Sequence, residues 1–140
     1  FPATILRFFL VYGPNQDKNR ILPQVIENCQ KNKKFPTTKG EQNCDFCFID
    51  DAVNAIFKTL NSKKTNGEII NIGSGKPTNI KYLINLVCKL IGGGKPQFGK
   101  LNYKKETNMN LYPDIKKAKR IISWYPRKKL IQGLKLTISE

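Results

Sequence analysis

The sequence predicts an α/β fold in which strands and helices alternate along one chain. Three observations carry this. Residues Ala3 to Val11 form a near-continuous apolar run, the pattern of a strand covered on both faces. Residues 43–49 alternate instead: Asp45, Cys47 and Ile49 fall on one face, Cys44, Phe46 and Phe48 on the other, and Asp50-Asp51 then open a helical pattern. Downstream, Glu68–Ile72 and the stretch from Thr78 to Ile91 repeat the order strand then helix, so the elements interleave rather than segregate.

Taken in order, the first strand runs from Pro2 to Tyr12 and is broken by Gly13-Pro14-Asn15. Ile21, Leu22, Val25, Ile26 and Cys29 share one face of a helix extending to about Lys33. Lys31, Lys33 and Lys34 suit the negative C-terminal end of that helix. Phe35 to Thr38 is expected as a short strand before Gly40. The next helix runs from Asp51 to about Ser62, with Asp50 and Asp51 as cap and first-turn carboxylates and Val53, Ile56, Phe57 and Leu60 inward. Asn66-Gly67 is a turn, and Gly73-Ser74-Gly75 ends the strand over 68–72. Thr78 is expected to cap a helix carrying Ile80, Leu83, Ile84, Val87 and Ile91, stopped by Gly92-Gly93-Gly94. Leu101 to Lys104 reads as a weak strand. Asp114 caps a short helix with Ile115, Ala118 and Ile121, and a last helix aligns Leu130, Leu134 and Ile138.

With 140 residues, 39% of them hydrophobic, the chain can bury one core and is not of disordered composition. No apolar run approaches a membrane span. The first residue is Phe1 and the opening stretch has core-strand character, so the chain is expected to start inside a larger protein or to follow a processing event. Net charge is +15, which points to an anionic partner: nucleic acid, an anionic surface or a phosphorylated small molecule. The cations are mostly Lys spread along the chain, without an Arg-rich block or a nucleic-acid-binding motif.

Four cysteines and no histidine are present. Cys44 and Cys47 form a C-x-x-C, but on a strand they point to opposite faces and cannot chelate one metal. Cys29 and Cys88 sit at apolar helix positions and read as small core residues with free thiols. Gly73-Ser74-Gly75-Lys76 and Gly92-Gly93-Gly94-Lys95 look like phosphate loops, yet neither has the leading Gly and both have Pro after Lys. A strand-to-helix turn and a helix stop account for them.

Four segments occur in the order used by the extended short-chain dehydrogenase/reductase family. "ILRFFLVYGPNQ" is similar to that family's "RxFNVYGPxQ", and "GEQNCDFCFIDD" to "GxQxRDFxYVDD". "GEIINIGSGKPTNIKYLI" is similar to "GExYNIGSGxPxSIxEL". The final stretch from Tyr112 to Ile138 is similar to "xADxSKAxRxLGWxPxxxLEEGLxxTI". The resemblance covers essentially the whole chain. It implies that residues 1–140 are the C-terminal part of a Rossmann-like fold with its small substrate-binding lobe. The implied activity of the parent is that of a cytoplasmic, NAD- or NADP-dependent nucleotide-sugar epimerase, dehydratase or 4-keto reductase. In that chemistry a Tyr is general acid/base, a Lys lowers its pKa, and nicotinamide carries the hydride.

The family's glycine fingerprint and its Tyr-x-x-x-Lys pair both precede the position of Phe1, so no catalytic residue is expected here. Tyr112 with Lys116, and Tyr125 with Lys129, match the spacing by accident: each Tyr precedes Pro, which disfavours a helix at that Tyr. Tyr125 and Trp124 are expected to pack the C-terminal helices.

The resemblance also assigns binding positions. Phe8 and Phe9 would lie beside nicotinamide, and Leu10 beside the sugar nucleotide, where the family often has Asn. Leu22, Pro23, Thr37 and Thr38 would lie against the base. Cys44 stands where the family has a diphosphate-binding Arg. Lys104 replaces a second phosphate-binding Arg, keeping the charge but losing the bidentate fork. The expected partner is a nucleoside-diphosphate sugar, with a possible homodimer and no membrane. A non-catalytic nucleotide-binding module and a basic nucleic-acid-binding protein are the alternatives. A steep fall of affinity with salt would mark the second.

Overall fold

In a computed structural model, which describes residues 2–140, the first apolar run splits into two strands. β1 (Ile5–Phe8) lies parallel to β5 (Ile69–Ile72), and β2 (Leu10–Tyr12) lies parallel to β4 (Asn43–Phe48). Phe9 is the handover point: its N–H still bonds Ile72 O at 3.0 Å, while Leu10 already faces Phe46 on β4. The expected strand buried on both faces is therefore corrected. Leu6 packs inward, but Ile5 and Phe8 are 55% and 40% exposed, because β1 is laddered on one side only, to β5.

β4 is the hub. Its N-terminal half also pairs with β6 (Pro77–Asn79), antiparallel, and with β8 (Asn110–Leu111), parallel. β3 (Lys34–Pro36) and β7 (Lys95–Gln97) form a separate parallel pair. The expected strand at Leu101–Lys104 is irregular backbone instead, and the strand forms earlier at Lys95–Gln97.

The alternation along β4 divides the molecule into two cores. Phe46 and Phe48 face the first, beneath α1 (Ile21–Gln30), α3 (Ile80–Ile91) and α5 (Leu130–Ile138), with Tyr12, Leu22, Leu83, Val87 and Leu134. Cys47 faces the second, beneath α2 (Ile49–Leu60) and α4 (Lys116–Ile122), with Ala55, Ile70, Ile72, Ala118 and Trp124. Cys44 packs against the first core, so the two cysteines of the C-x-x-C do sit on opposite faces.

Several element details differ from expectation. α1 ends at Gln30, because Asn32 turns left-handed (φ 47°) and its Oδ1 then accepts the Gly94 N–H at 3.1 Å. α2 starts at Ile49 and has no side-chain cap; its inward face is Ala52, Ala55 and Thr59, while Val53, Ile56, Phe57 and Leu60 are exposed. Asn79, not Thr78, caps α3, accepting the Tyr82 N–H at 3.1 Å. Asp114 accepts the Lys116 N–H at 2.8 Å where α4 begins. Trp124 is fully buried and donates to Asp51 O at 3.0 Å, whereas Tyr125 is exposed. α5 approaches β2 so closely that a Cβ on Gly133 would clash with the Tyr12 hydroxyl. Among the described residues no helix is long and apolar enough to cross a membrane.

Candidate functional site

A groove of about 570 Å³ opens between β2, the loop after it and the start of α1. Its floor is apolar, from Phe9, Leu10, Tyr12, Leu22 and Phe46; its rim is polar, from Gln16, Asp17, Asn19 and Arg20. Local chemistry shapes the rim. Gln16 Nε2 donates to Val11 O at 2.9 Å, and Asp17 accepts from Asn19 N–H through its carboxylate (2.9 Å) and from Arg20 N–H through its carbonyl (3.0 Å). These bonds order the loop, and the Arg20 side chain at the mouth of α1 takes part in neither ion pair found among the described residues. Gln16 Oε1 is buried and receives no hydrogen bond, an acceptor whose unmet demand a ligand donor would satisfy.

Tyr12 is not an acid/base candidate. Burial, reinforced by nearby Cys47 and Asp51, pushes its hydroxyl above the ordinary range. It donates to Leu130 O at 3.2 Å and meets Phe46 and Phe48 edge-on.

Of the residues expected to bind cofactor or substrate, Phe9, Leu10 and Leu22 share this groove. Phe8 lies outside it, on the open side of β1. Pro23, in the first turn of α1, borders a different depression with Gly13 and Glu27. Thr37 is buried and donates to Thr38 O at 2.9 Å, and Thr38 Oγ1 accepts from Gly40 N–H at 3.3 Å. The strip carrying Lys104 runs alongside these threonines, docked by Leu101 N–H to Thr37 O (3.0 Å) and Glu41 N–H to the Tyr103 hydroxyl (2.9 Å). Lys104 itself lines a shallow depression with Glu106 and Thr107. Cys44 is half-buried on β4, its thiol pushed up by burial and by the Asp45 charge. Tyr112 and Tyr125 both lie outside helices, so neither Tyr-x-x-x-Lys match forms a helical pair.

The sequence reading missed Gln16, Asn19, Arg20 and Phe46. A signal existed for the first three: polar residues in a short loop between a strand end and an apolar helix face are where binding groups concentrate.

The sequence profile described as the NAD-dependent epimerase/dehydratase family matches residues 1–73. The chain belongs to the NAD-dependent epimerase/dehydratase family. Among curated proteins it is 33% identical over 138 residues to the UDP-glucuronate 4-epimerase of Thermodesulfobacterium geofontis, covering 97% of this chain and 42% of that protein. Among solved structures it resembles the UDP-glucuronic acid 4-epimerase of Bacillus cereus in complex with UDP-glucuronic acid and NAD (TM-score 0.91, 30% identity, 99% of this chain and 44% of that one). It also resembles the UDP-glucose 4-epimerase of Thermotoga maritima with UDP-glucose (TM-score 0.89, 29% identity, 97% of this chain and 44% of that one). The chain thus spans less than half the length of these epimerase/dehydratase relatives. Its glycines nowhere form the G-x-x-G-x-x-G fingerprint of a dinucleotide site. Phe8 and Phe9, expected beside nicotinamide, carry no polar side-chain atom with which to hold a dinucleotide.

Proposed function

We propose that this chain is the nucleotide-sugar-binding part of an NAD(P)-dependent epimerase, dehydratase or 4-keto reductase, with the catalytic Tyr-Lys pair and the glycine fingerprint supplied from outside these residues. The observation that carries the reading is the groove beside β2, where Phe9, Leu10 and Leu22 meet Arg20, a cation in neither ion pair found among the described residues. An apolar floor suits the face of a sugar or base, and a guanidinium at the rim suits the diphosphate. Gln16 Oε1 offers an acceptor to a sugar hydroxyl. Thr37, Thr38 and Lys104 form the outer strip toward the base and phosphate. Cys44 supplies no charge where the family motif has Arg, which leaves Arg20 and Lys104 as the cations for the diphosphate.

Calorimetric titration with UDP-glucuronic acid tests this. Saturable binding is expected, and Arg20→Ala should weaken it about tenfold or more, the scale of one charge-assisted hydrogen bond. An Arg20→Ala variant that binds as tightly as the parent would sink the assignment of the groove. The chain alone should convert no nucleotide sugar in the presence of NAD; a 4-epimer or any other product would refute the absence of catalytic groups.

A further inference from the structure

On the other edge of β4, β6 and the ends of α3 and α5 enclose a second cavity of about 510 Å³. Four cations line it, Lys76, Arg127, Lys128 and Lys129, and no carboxylate does. None of the four takes part in the two ion pairs found among the described residues. The groove beside β2, by contrast, sets Asp17 beside its single Arg20. The rest of the lining is mostly apolar, with Tyr82, which is 58% exposed, beside Leu86, Leu130 and Ile131, the hydroxyl side chains of Ser74 and Thr78, and Phe46, whose ring also borders the β2 groove.

Two buried carboxylates fix the basic walls from behind. Asp45 accepts from Ser74 N–H and Gly75 N–H, both at 2.6 Å, and from Ser74 Oγ at 2.9 Å, which pins the turn carrying Lys76. Asp51 accepts from Arg127 N–H at 3.0 Å and Lys128 N–H at 2.9 Å, which pins the loop carrying the other three cations. The turn at Gly73-Ser74-Gly75-Lys76 therefore does not cradle a phosphate with its backbone, since the Ser74 and Gly75 N–H groups donate to Asp45 and the Lys76 N–H donates to Ser74 Oγ at 3.1 Å. It presents the Lys76 side chain instead. Lys128 Nζ lies 5.8 Å from the Phe48 ring, and the Arg127 guanidinium 5.7 Å from Tyr125, so both are held over aromatic faces without an anionic partner.

We propose that this cavity is a second ligand site and that it takes a nucleoside phosphate, the phosphates against Lys76, Arg127 and Lys129 and the base against Tyr82. Unpaired cations on immobilised loops favour a multiply charged anion, and the exposed ring beside aliphatic residues favours a planar group attached to it. This assignment does not depend on what the β2 groove binds.

The test is calorimetric titration of the protein with ADP and with inorganic pyrophosphate at low salt. The triple variant Lys76→Ala, Arg127→Ala, Lys129→Ala should lose about tenfold or more in affinity for both probes. Tyr82→Ala should weaken ADP several-fold and leave pyrophosphate within about twofold, since only ADP has a ring to stack. A control triple variant, Lys33→Ala, Lys63→Ala, Lys64→Ala, removes the same charge from outside the cavity and should leave both affinities nearly unchanged. All these residues are exposed, and unaltered thermal unfolding of each variant shows that the fold is kept. The proposal is overturned if the control loses as much affinity as the cavity variant, because overall charge then explains the binding. It is overturned equally if Arg20→Ala abolishes ADP binding, which would place the ligand in the β2 groove, or if neither probe saturates.

Discussion

Asp45 reads in sequence as one face of a strand and Asp51 as a first-turn carboxylate of a helix, and the structural roles of both are tertiary. Each lies on or beside β4, is almost wholly buried, and accepts hydrogen bonds from a loop distant in sequence. Asp45→Asn keeps the size but turns one acceptor oxygen into a donor facing an N–H. The variant should lose about 1–3 kcal/mol, the cost of a buried donor left unmet, as read by urea unfolding. Only glycine fits at the neighbouring position 73, because a Cβ there would press on both Pro113 and the Asp45 carboxylate. Cys47 makes a second point at this scale. Burial first, then the charges of Asp51 and Asp45, pushes its thiol from 9.0 up to about 12. The folded state therefore keeps a proton that the unfolded chain releases, and the associated stability is present below pH 9 and lost as pH rises toward 12. Across that window the stability difference between the wild type and Cys47→Ala should shrink by up to about 1.4 kcal/mol per pH unit. A difference that stays constant with pH would show that Cys47 ionises normally in the folded protein. The two acids were visible in sequence as a strand-face residue and a first-turn residue; that their partners lie at Ser74–Gly75 and Arg127–Lys128 was not, because hydrogen bonds between distant loops leave no periodic trace.

At the scale of elements, helical spacing gave most of the inward stripes of α1, α3 and α5, where the bulky residues pack into the first core; Ile21, expected inward at the start of α1, is instead exposed, and Ile91, Leu130 and Ile138 are only partly buried. It gave the wrong face of α2. Hydrophobicity selects Val53, Ile56, Phe57 and Leu60, but the second core lies against Ala52, Ala55 and Thr59, where small side chains let the helix approach β4, β2 and α4. Pattern reading ranks residues by apolar bulk, whereas close packing at this contact selects for small size. The double substitution Phe57→Ser, Leu60→Ser should consequently shift stability by no more than about 0.5 kcal/mol per site. Ala55→Leu, at a position with no exposure, should cost about 1–3 kcal/mol by overpacking. Chemical denaturation of the two variants side by side checks the assignment, and a larger loss from the serine pair would mean that the bulky stripe is the packed face. The first apolar run carries the same lesson. Its residues form strands as expected, but the break at Phe9 depends on β5 and β4 competing for one segment, and neither partner can be read from within the run itself.

At the scale of the whole molecule, the fold leaves a large positive charge uncompensated. The 25 basic and 10 acidic residues differ by 15, and the described residues contain two ion pairs, Lys31 with Glu27 and Lys117 with Glu68. Two of the ten acids, Asp45 and Asp51, are directed inward to backbone N–H groups, which further thins the negative charge available at the surface. The folded state therefore concentrates like charges that the expanded chain keeps farther apart, and self-repulsion should lower its stability at low ionic strength. Screening shortens from about 30 Å at 0.01 M salt to about 10 Å at 0.1 M, a change comparable with the dimensions of a domain this small. The melting temperature should rise by several degrees over that range of sodium chloride, since roughly 1 kcal/mol shifts a domain of this size by a few degrees. Pyrophosphate at the same ionic strength should raise it further, because a bound anion stabilises the folded state by mass action as well as by screening. Equal shifts from the two salts at matched ionic strength would show that the basic surface is a diffuse field with no site in it. An excess from pyrophosphate that disappears in Lys76→Ala, Arg127→Ala, Lys129→Ala would locate that site in the cavity between β6 and α5.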